Sequence, residues 1–452
     1  MQKQIDQIEQ INFLKSQLKL SVLSNYLPLH LIDEYKANSS KKFRERLYPL
    51  ELVLQTMLFQ AINEDKSEQN AVVFLSEYYR NLRQKIHNQE LLVSENLKNQ
   101  QKRRGRPKKN LVKTQKSKLH EISINTASYN EAKKRLPLEL MKLIVENINI
   151  PSNKNSLWNG HRVFIADGTN CDTVDNKELR DYFLPNGINA RASLPIVKIE
   201  GLIDLFSGMI VSIEIDDYSS SEARMLKALY TKIPKGTIIM VDDLYSSYSH
   251  LCYSQSKACD IIAQGKHIRN DKIVRIINSQ DAIVEWKIYK RPSWFSPEDY
   301  LPKTMNVRRI TYKNPENPNK ELYIYTTLTN ELKYSANDII ALYVGRWDIE
   351  IGFREIKKIL KMEHLRGKTV EMVKKEIYAH WIAYNIIRLL KYKVYTEKDA
   401  NFFSLREALQ TEFAIYQNKD YNIDRVGRSY IRKSTGRYGT YIKEKEKKEK
   451  TI

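Results

Sequence analysis

Residues 335–365, SANDIIALYVGRWDIEIGFREIKKILKMEHL, carry apolar side chains at three- and four-residue spacing, with only Gly345 and Gly352 to interrupt them. The stretch is therefore expected to form one long helix. Tyr343, Arg346, Glu350 and Lys357 stand on it at steps of three, four and seven. At about 100° per residue they fall within a band roughly 60° wide. One carboxylate flanked by a phenol, a guanidinium and an ammonium suits a metal-binding acid with phosphate-holding neighbours. The competing reading is an Arg346–Glu350 ion pair on a solvated face, and the helix by itself leaves both open.

Upstream, the periodicity changes from helical to extended. RVFIADGT (162–169) is a short apolar run ending in Asp-Gly, the pattern of a buried strand whose tip presents Asp167. PIVKIEGLIDLF and GMIVSIEID follow, broken at Ser207-Gly208 as in a hairpin. SSSEARMLKALYTKI reads as a helix, TIIMVDD as a second strand ending in acids, residues 245–257 as a helix, and CDIIAQG as a strand. Three strands, a helix, a strand, a helix and a strand describe a ribonuclease-H-like α/β core. From Gln264 to Tyr334 every signal is β: KIVRII, AIVEWKIYK, MNVRRITY and ELYIYTTL. This block separates the last core strand from the long helix and reads as an inserted β-sheet subdomain. A second amphipathic helix, 371–395, is expected to pack back on the core.

Asp167, Asp242 and Glu350 are thus the candidate metal ligands. Neighbouring strand tips lie about 4.8 Å apart, so two Asp can bridge ions, and a glutamate on a crossing helix closes the site. Hard oxygen ligands select Mg²⁺ or Mn²⁺. Two such ions about 3.5–4 Å apart ready a water or a 3′-hydroxyl for in-line attack and steady the departing oxygen. For each Asp the alternative is a turn or cap role. Asp216-Asp217 are read as capping the helix near Ser219. Alternation sends Asp242 and Asp243 to opposite faces, so only one joins the site, and the pattern does not choose.

The chain has 452 residues, with 75 Lys and Arg against 54 Asp and Glu, a formal charge of +21 and a pI of about 9.5. That excess favours a polyanionic partner. No apolar run approaches the roughly 18 residues of a membrane span, and MQKQIDQIEQ is too polar for a signal peptide. Cys171, Cys252 and Cys259 form no CxxC pair and point to a reducing compartment. His250 beside Cys252 is at most half of a zinc site. A soluble cytoplasmic protein acting on nucleic acid is the expectation.

Residues 1–100 read as a helical N-terminal DNA-binding region. One helix lies over IDQIEQINFLKSQLKLSVLSNYL, one starts at Pro49, and one is capped near Asp65–Ser67. A helix-turn-helix and a plain helical bundle look alike at this level. Residues 101–119, QKRRGRPKKNLVKTQKSKL, hold nine Lys or Arg and no acid. Arg104-Gly105-Arg106-Pro107, followed by Lys108, matches the core of an AT-hook, in which Arg-Gly-Arg enters a narrow A·T minor groove. The alternative is a basic linker that touches phosphates without preference. The expected organisation places the first part of the catalytic core at 120–264 and the β insertion at 265–334. The second part of the core follows at 335–398, then a C-terminal helix and basic tail at 399–452.

YVGRWDIEIGFREIK carries the Y-(2)-R-(3)-E-(6)-K spacing and thereby resembles the DDE transposases of insertion-sequence family four. NTASYNEAKKRLPLEL, HRVFIADGT, IIMVDDLYSSY, YKRPSWF and KTVEMVKKEIYAHWIAYNIIR are similar to family segments in family order, over roughly residues 120–390. The resemblance implies that Asp167, Asp242 and Glu350 hold the metals. It also implies that Tyr343, Arg346 and Lys357 grip phosphates of the transposon end. It selects Asp242 over Asp243, because the family places its ligand three residues before an aromatic, here Tyr245. One departure is Asp243, where the family usually has Arg.

By the same resemblance the protein would cut and paste an insertion sequence as a homodimer on double-stranded DNA, binding terminal inverted repeats and a target, at a prokaryotic nucleoid. Relatives excise through a DNA hairpin with a flipped base stacked on tryptophan. Trp294 is assigned that role, with Trp286 as competitor and core packing as the alternative for both. A non-catalytic, transposase-derived DNA-binding regulator is the other function the sequence admits, and a structure-selective nuclease on the same fold is a third.

Overall fold

The computed structural model describes residues 26–43, 47–63, 65–77, 79, 80, 84, 125–148, 156–184, 194–265, 271–288, 290–313, 321–345, 360 and 362–396. These fall into two compact units, one within 19–147 together with 371–383, the other within 148–370 together with residues from 384 onward.

The first unit is helical. Its described elements are α1 (His30–Asn38), α2 (Leu50–Ile62), a helical stretch over 68–77, α3 (Thr126–Arg135) and α4 (Leu138–Asn147). Pro49 precedes α2, where its fixed φ and missing N–H cost nothing. Ser67 Oγ accepts the Asn70 N–H at 3.1 Å, the cap expected there. Lys375 is fully buried and donates to the carbonyls of Lys133 (3.1 Å) and Lys134 (2.9 Å). A cation thus meets the negative end of α3, where the helix carbonyls lack intrahelical partners.

The second unit is built on one mixed sheet. Its elements in chain order are β1 (Val163–Thr173), α5 (Lys177–Phe183), β2 (Ile196–Asp204), β3 (Ile210–Asp217), α6 (Glu222–Leu229), β4 (Ile238–Val241), α7 (Tyr248–Ser256) and β5 (Asp260–Gly265). After them come β6 (Lys272–Asn278), β7 (Asp281–Lys287), β8 (Thr304–Lys313), β9 (Glu321–Thr326), α8 (Ala336–Gly345) and β10 (His364–Leu365). The strand order is β3-β2-β1-β4-β5-β9-β8-β7-β6, with β10 added parallel to β1. β1, β4 and β5 are parallel, and the β2–β3 hairpin is antiparallel on one side of them. Gly208 turns that hairpin at φ +66°, a backbone conformation that favours glycine.

Three expectations are revised. β1 runs on to Thr173, so Asp167 lies within the strand; it is β4 that ends, after only four residues, and leaves that flank of β1 open. Strands β6 to β9 lie between β5 and α8 in sequence, as expected, but β9 pairs antiparallel with β5 and joins them to the core sheet instead of forming a separate one. The long helix does not reach residue 365. α8 is described as far as Gly345, and His364 and Leu365 pair as strand with Asp172 and Thr173. Apolar Leu360, Met362 and Leu365 fit a helical period, yet all three are buried and Leu365 lies in β10.

The final helix, α9 (Val370–Thr396), supplies residues to each unit. Within the second, Asn385 accepts the Ile210 N–H at 2.8 Å and donates to the Ile210 carbonyl at 2.7 Å, at the start of the edge strand β3. Among the described residues no helix is long and apolar enough to cross a membrane. The three cysteines are buried and unpaired with one another.

Candidate active site

Two of the three expected acids come together. The parallel register pairs Val163 with Ile238, Phe164 with Ile239 and Ile165 with Met240. Two residues further along each chain stand Asp167 and Asp242, level on strands about 4.8 Å apart. Side-chain alternation decides their direction. Val163 and Ile165 share one core cluster with Ile238 and Met240, whereas Phe164 and Ala166 share the other with Ile239 and Val241. Asp167 follows the first set, and so does Asp242, whose backbone is still extended at φ −80°, ψ −172°. Both carboxylates therefore belong to one face of the sheet. α8 packs on that face through Ile339, Leu342 and Tyr343.

Each carboxylate is oriented by its own backbone. Asp167 Oδ1 accepts the Gly168 N–H at 2.9 Å, and Asp242 Oδ1 accepts the Leu244 N–H at 2.9 Å at the head of a single 3₁₀ turn, Asp243–Tyr245. Tyr343, expected to grip phosphates, is instead fully buried with its hydroxyl turned to the protein interior. Its hydroxyl donates to the Val241 carbonyl at 3.2 Å, with Gln264 Oε1 as alternative acceptor at 3.1 Å. Glu350, Arg346 and Lys357 lie outside the described residues, as do Arg104, Arg106 and Lys108 and the tail beyond 396. Asp217 accepts the Ser219 N–H at 2.7 Å in the turn before α6 and Asp216 pairs with Arg224, so neither caps the helix, whose N-cap is Ser221.

Beneath the sheet lies a group that the sequence reading did not single out. Glu200 on β2 stands opposite Gly168, on the α6 and α7 side, and is fully buried. Tyr245 donates to Glu200 Oε2 at 2.7 Å, with Glu222 Oε2 3.4 Å away. Burial pushes the Glu200 carboxyl well above the usual range; the tyrosine bond pulls it down, and the negative charges of Glu222, Asp167 and Asp242 push it up. Its only sequence signal is a pair of charges, Lys198 and Glu200, inside the apolar run PIVKIEGLI.

Beside the 3₁₀ turn opens a groove of about 900 Å³, lined by Leu244, Lys272, Trp286, Lys287, Lys290 and Trp294 among others. Trp286 is buried against Tyr325, whereas Trp294 is half-buried and stacks on His250 at 4.7 Å. His250 is itself buried, and neither ring nitrogen has a hydrogen-bond partner among the described residues. Burial alone holds its pKa down at about 3.

Among the described residues no three His, Cys, Asp or Glu side chains gather as a metal site. The donor set nonetheless fits a divalent cation: two hard carboxylates held level on one face of the sheet.

The profile of the family described as Transposase DDE domain matches residues 158–386, half of the chain, and spans both acids. The chain belongs to the DDE transposases. It is 24% identical over 247 residues to Transposase InsG for insertion sequence element IS4 of Escherichia coli strain K12, covering 51% of this chain and 52% of that one. It is 39% identical over 83 residues to the putative transposase y4zB of Sinorhizobium fredii, covering 18% of this chain and 22% of that one. The chain thus spans about half the length, or less, of the curated relatives it matches. Among solved structures, a cryo-EM structure of a piggyBac transposase synaptic complex with hairpin DNA aligns over 92% of this chain and 84% of that one, at 9% identity and a TM-score of 0.42. At that score nothing is carried across.

Proposed function

We propose that this transposase moves an insertion sequence by cut-and-paste chemistry on double-stranded DNA, with Asp167, Asp242 and Glu350 as its metal ligands. The supporting observation is the level placement of Asp167 and Asp242 on the sheet face against which α8 packs; Glu350 follows the end of α8 by five residues in sequence. Two Mg²⁺ or Mn²⁺ ions, when bound, would activate the attacking oxygen and neutralise charge on the leaving one. The protein's own contribution is positional. The backbone bonds to Asp167 and Asp242 fix carboxylate rotamers before any ion arrives, and Tyr343 braces the end of β4 one residue before Asp242. Arg346 and Lys357, with the Arg104, Arg106 and Lys108 linker, are proposed to hold DNA phosphates, consistent with the +21 charge.

The groove beside the 3₁₀ turn that follows Asp242 is proposed to receive the base flipped out during hairpin formation, with Trp294 as stacking platform. Burial of Trp286 against Tyr325 favours Trp294 over it for that role. Nicking, hairpin formation and reopening, and joining of the 3′-hydroxyls to target DNA would follow at one site, in a homodimer that holds two ends.

The test is in vitro excision with Mg²⁺. Asp167→Asn, Asp242→Asn and Glu350→Gln should each abolish cleavage and leave binding to the terminal repeats intact. If any of them excises at the parent rate, that ligand is misassigned. Binding without cleavage in the parent protein would favour the regulator, to whose account Asp243 would then belong.

A further inference from the structure

We propose that Glu200, acting through Tyr245, is a positioning residue that cross-braces the two strands carrying Asp167 and Asp242 and so sets the metal affinity of the site. The inference rests on the metal-site reading above and goes beyond it.

A carboxyl group buried inside a sheet is costly, and this one is not fully compensated: Glu200 Oε1 is buried with no hydrogen-bond partner among the described residues. An apolar residue on β2 would fill the same position without that cost. What the carboxyl does there is visible from its two neighbours. On one side it passes under β1 at the residue after Asp167. A Cβ on Gly168 would lie 2.8 Å from Glu200 Oε2 and 3.5 Å from Glu222 Cδ, so the close approach requires glycine. On the other side it takes the Tyr245 hydroxyl at 2.7 Å. Tyr245 closes the 3₁₀ turn that Asp242 opens, and it is 1% exposed.

One side chain therefore ties the backbone beside the first acid to the turn beneath the second. β4 ends at Val241, so no ladder hydrogen bond does this work at the level of the acids. Tyr343 holds the same strand end from the opposite face through the Val241 carbonyl. Glu200 is on the far face from the Asp167 and Asp242 carboxylates, which makes it a brace and not a ligand. Groups that orient metal ligands from behind typically change metal affinity about 10–100-fold when removed.

The experiment measures Mn²⁺ binding to the full-length protein by calorimetry and by the loss of the free-ion EPR signal. Parent, D167N, Y245F, E200L and E200Q are compared, with thermal unfolding of each as a folding check. D167N reports on the metal site itself: a parent that binds no Mn²⁺, or binds it as D167N does, sinks the site and the brace together. With the site established, Y245F and E200L should each weaken Mn²⁺ at least tenfold. E200Q, whose amide oxygen still accepts from Tyr245, should recover most of what E200L loses. Y245F binding Mn²⁺ as the parent does overturns the brace. So does E200Q as weak as E200L, which would mean that the carboxylate charge matters and the tie to Tyr245 does not.

Discussion

His250 should make this protein acid-sensitive through a single residue. Its ring is enclosed by Tyr230 (6.4 Å), Tyr245 (5.8 Å) and Trp294 (4.7 Å), none of which offers it a charge. Burial alone takes its pKa from the ordinary 6.5 to about 3. The folded-state value is thus below the unfolded one. The unfolded chain takes up a proton before the folded protein does, so stability is fully present above pH 6.5 and is lost as pH falls toward 3. At pH 5 the loss is about 2 kcal/mol, from about 1.4 kcal/mol per pH unit over the interval below 6.5. For a unit of this size that is a fall in melting temperature of about 4–8 °C. The assay is thermal unfolding of the parent and of His250→Phe from pH 8 to pH 5, read as the difference between the two. Other carboxylates contribute equally to both and cancel. The difference should open by about 2 kcal/mol in favour of the phenylalanine variant as pH drops. Parallel curves would show that the histidine titrates as a solvated one and that the aromatic enclosure is wrong.

Gly168→Ala should cost about 1–3 kcal/mol by forcing Glu200 aside. In a double-mutant cycle with Glu200→Ala at least about 1 kcal/mol of that should be returned, whereas additivity would place the strain elsewhere. Asp281→Ala should destabilise the second unit by about 3–5 kcal/mol, since Arg308 is 1% exposed and would lose its bidentate partner at 2.9 and 2.6 Å. A urea midpoint unchanged from the parent would refute this. Gly265→Ala would set a Cβ 2.5 Å from Tyr325 Cε2, against a buried ring, and should lower the melting temperature measurably. Trp294→Ala should lower hairpin yield about tenfold or more while nicking continues, because base–aromatic stacking is worth about 1–3 kcal/mol. Equal loss of both products would assign the residue to folding.

Much of this was legible in the chain because local pattern and long-range architecture agree. The apolar run of β1, the Ser207-Gly208 turn and the short run before Asp242 each have one reading in strand periodicity, and their order fixes the core. What the pattern hid depended on partners far away in sequence. Asp167 looks like a strand end because Gly168 follows it, but β1 continues since β2 and β10 pair with it beyond that point. The 265–334 block looks like a separate sheet because nothing in β9 announces that its free edge meets β5. Leu360, Met362 and Leu365 extend a helical period by coincidence of apolar spacing. Glu200 was invisible for another reason: a buried acid on a strand is indistinguishable in sequence from one that faces water.

The β5–β9 pairing makes the proposed metal-binding acids and the floor of the tryptophan groove parts of a single ruler. From β4 to β7 there are four strand steps, about 19 Å, and each step adds about 20–25° of twist, or some 80–100° in all. An offset built from ladder hydrogen bonds contains no soft joint. Whatever rearrangement accompanies the proposed DNA capture must take place in the loops and helices around this plank, and a one-residue insertion within β5 or β9 would send the side chains of that strand beyond it to the wrong face.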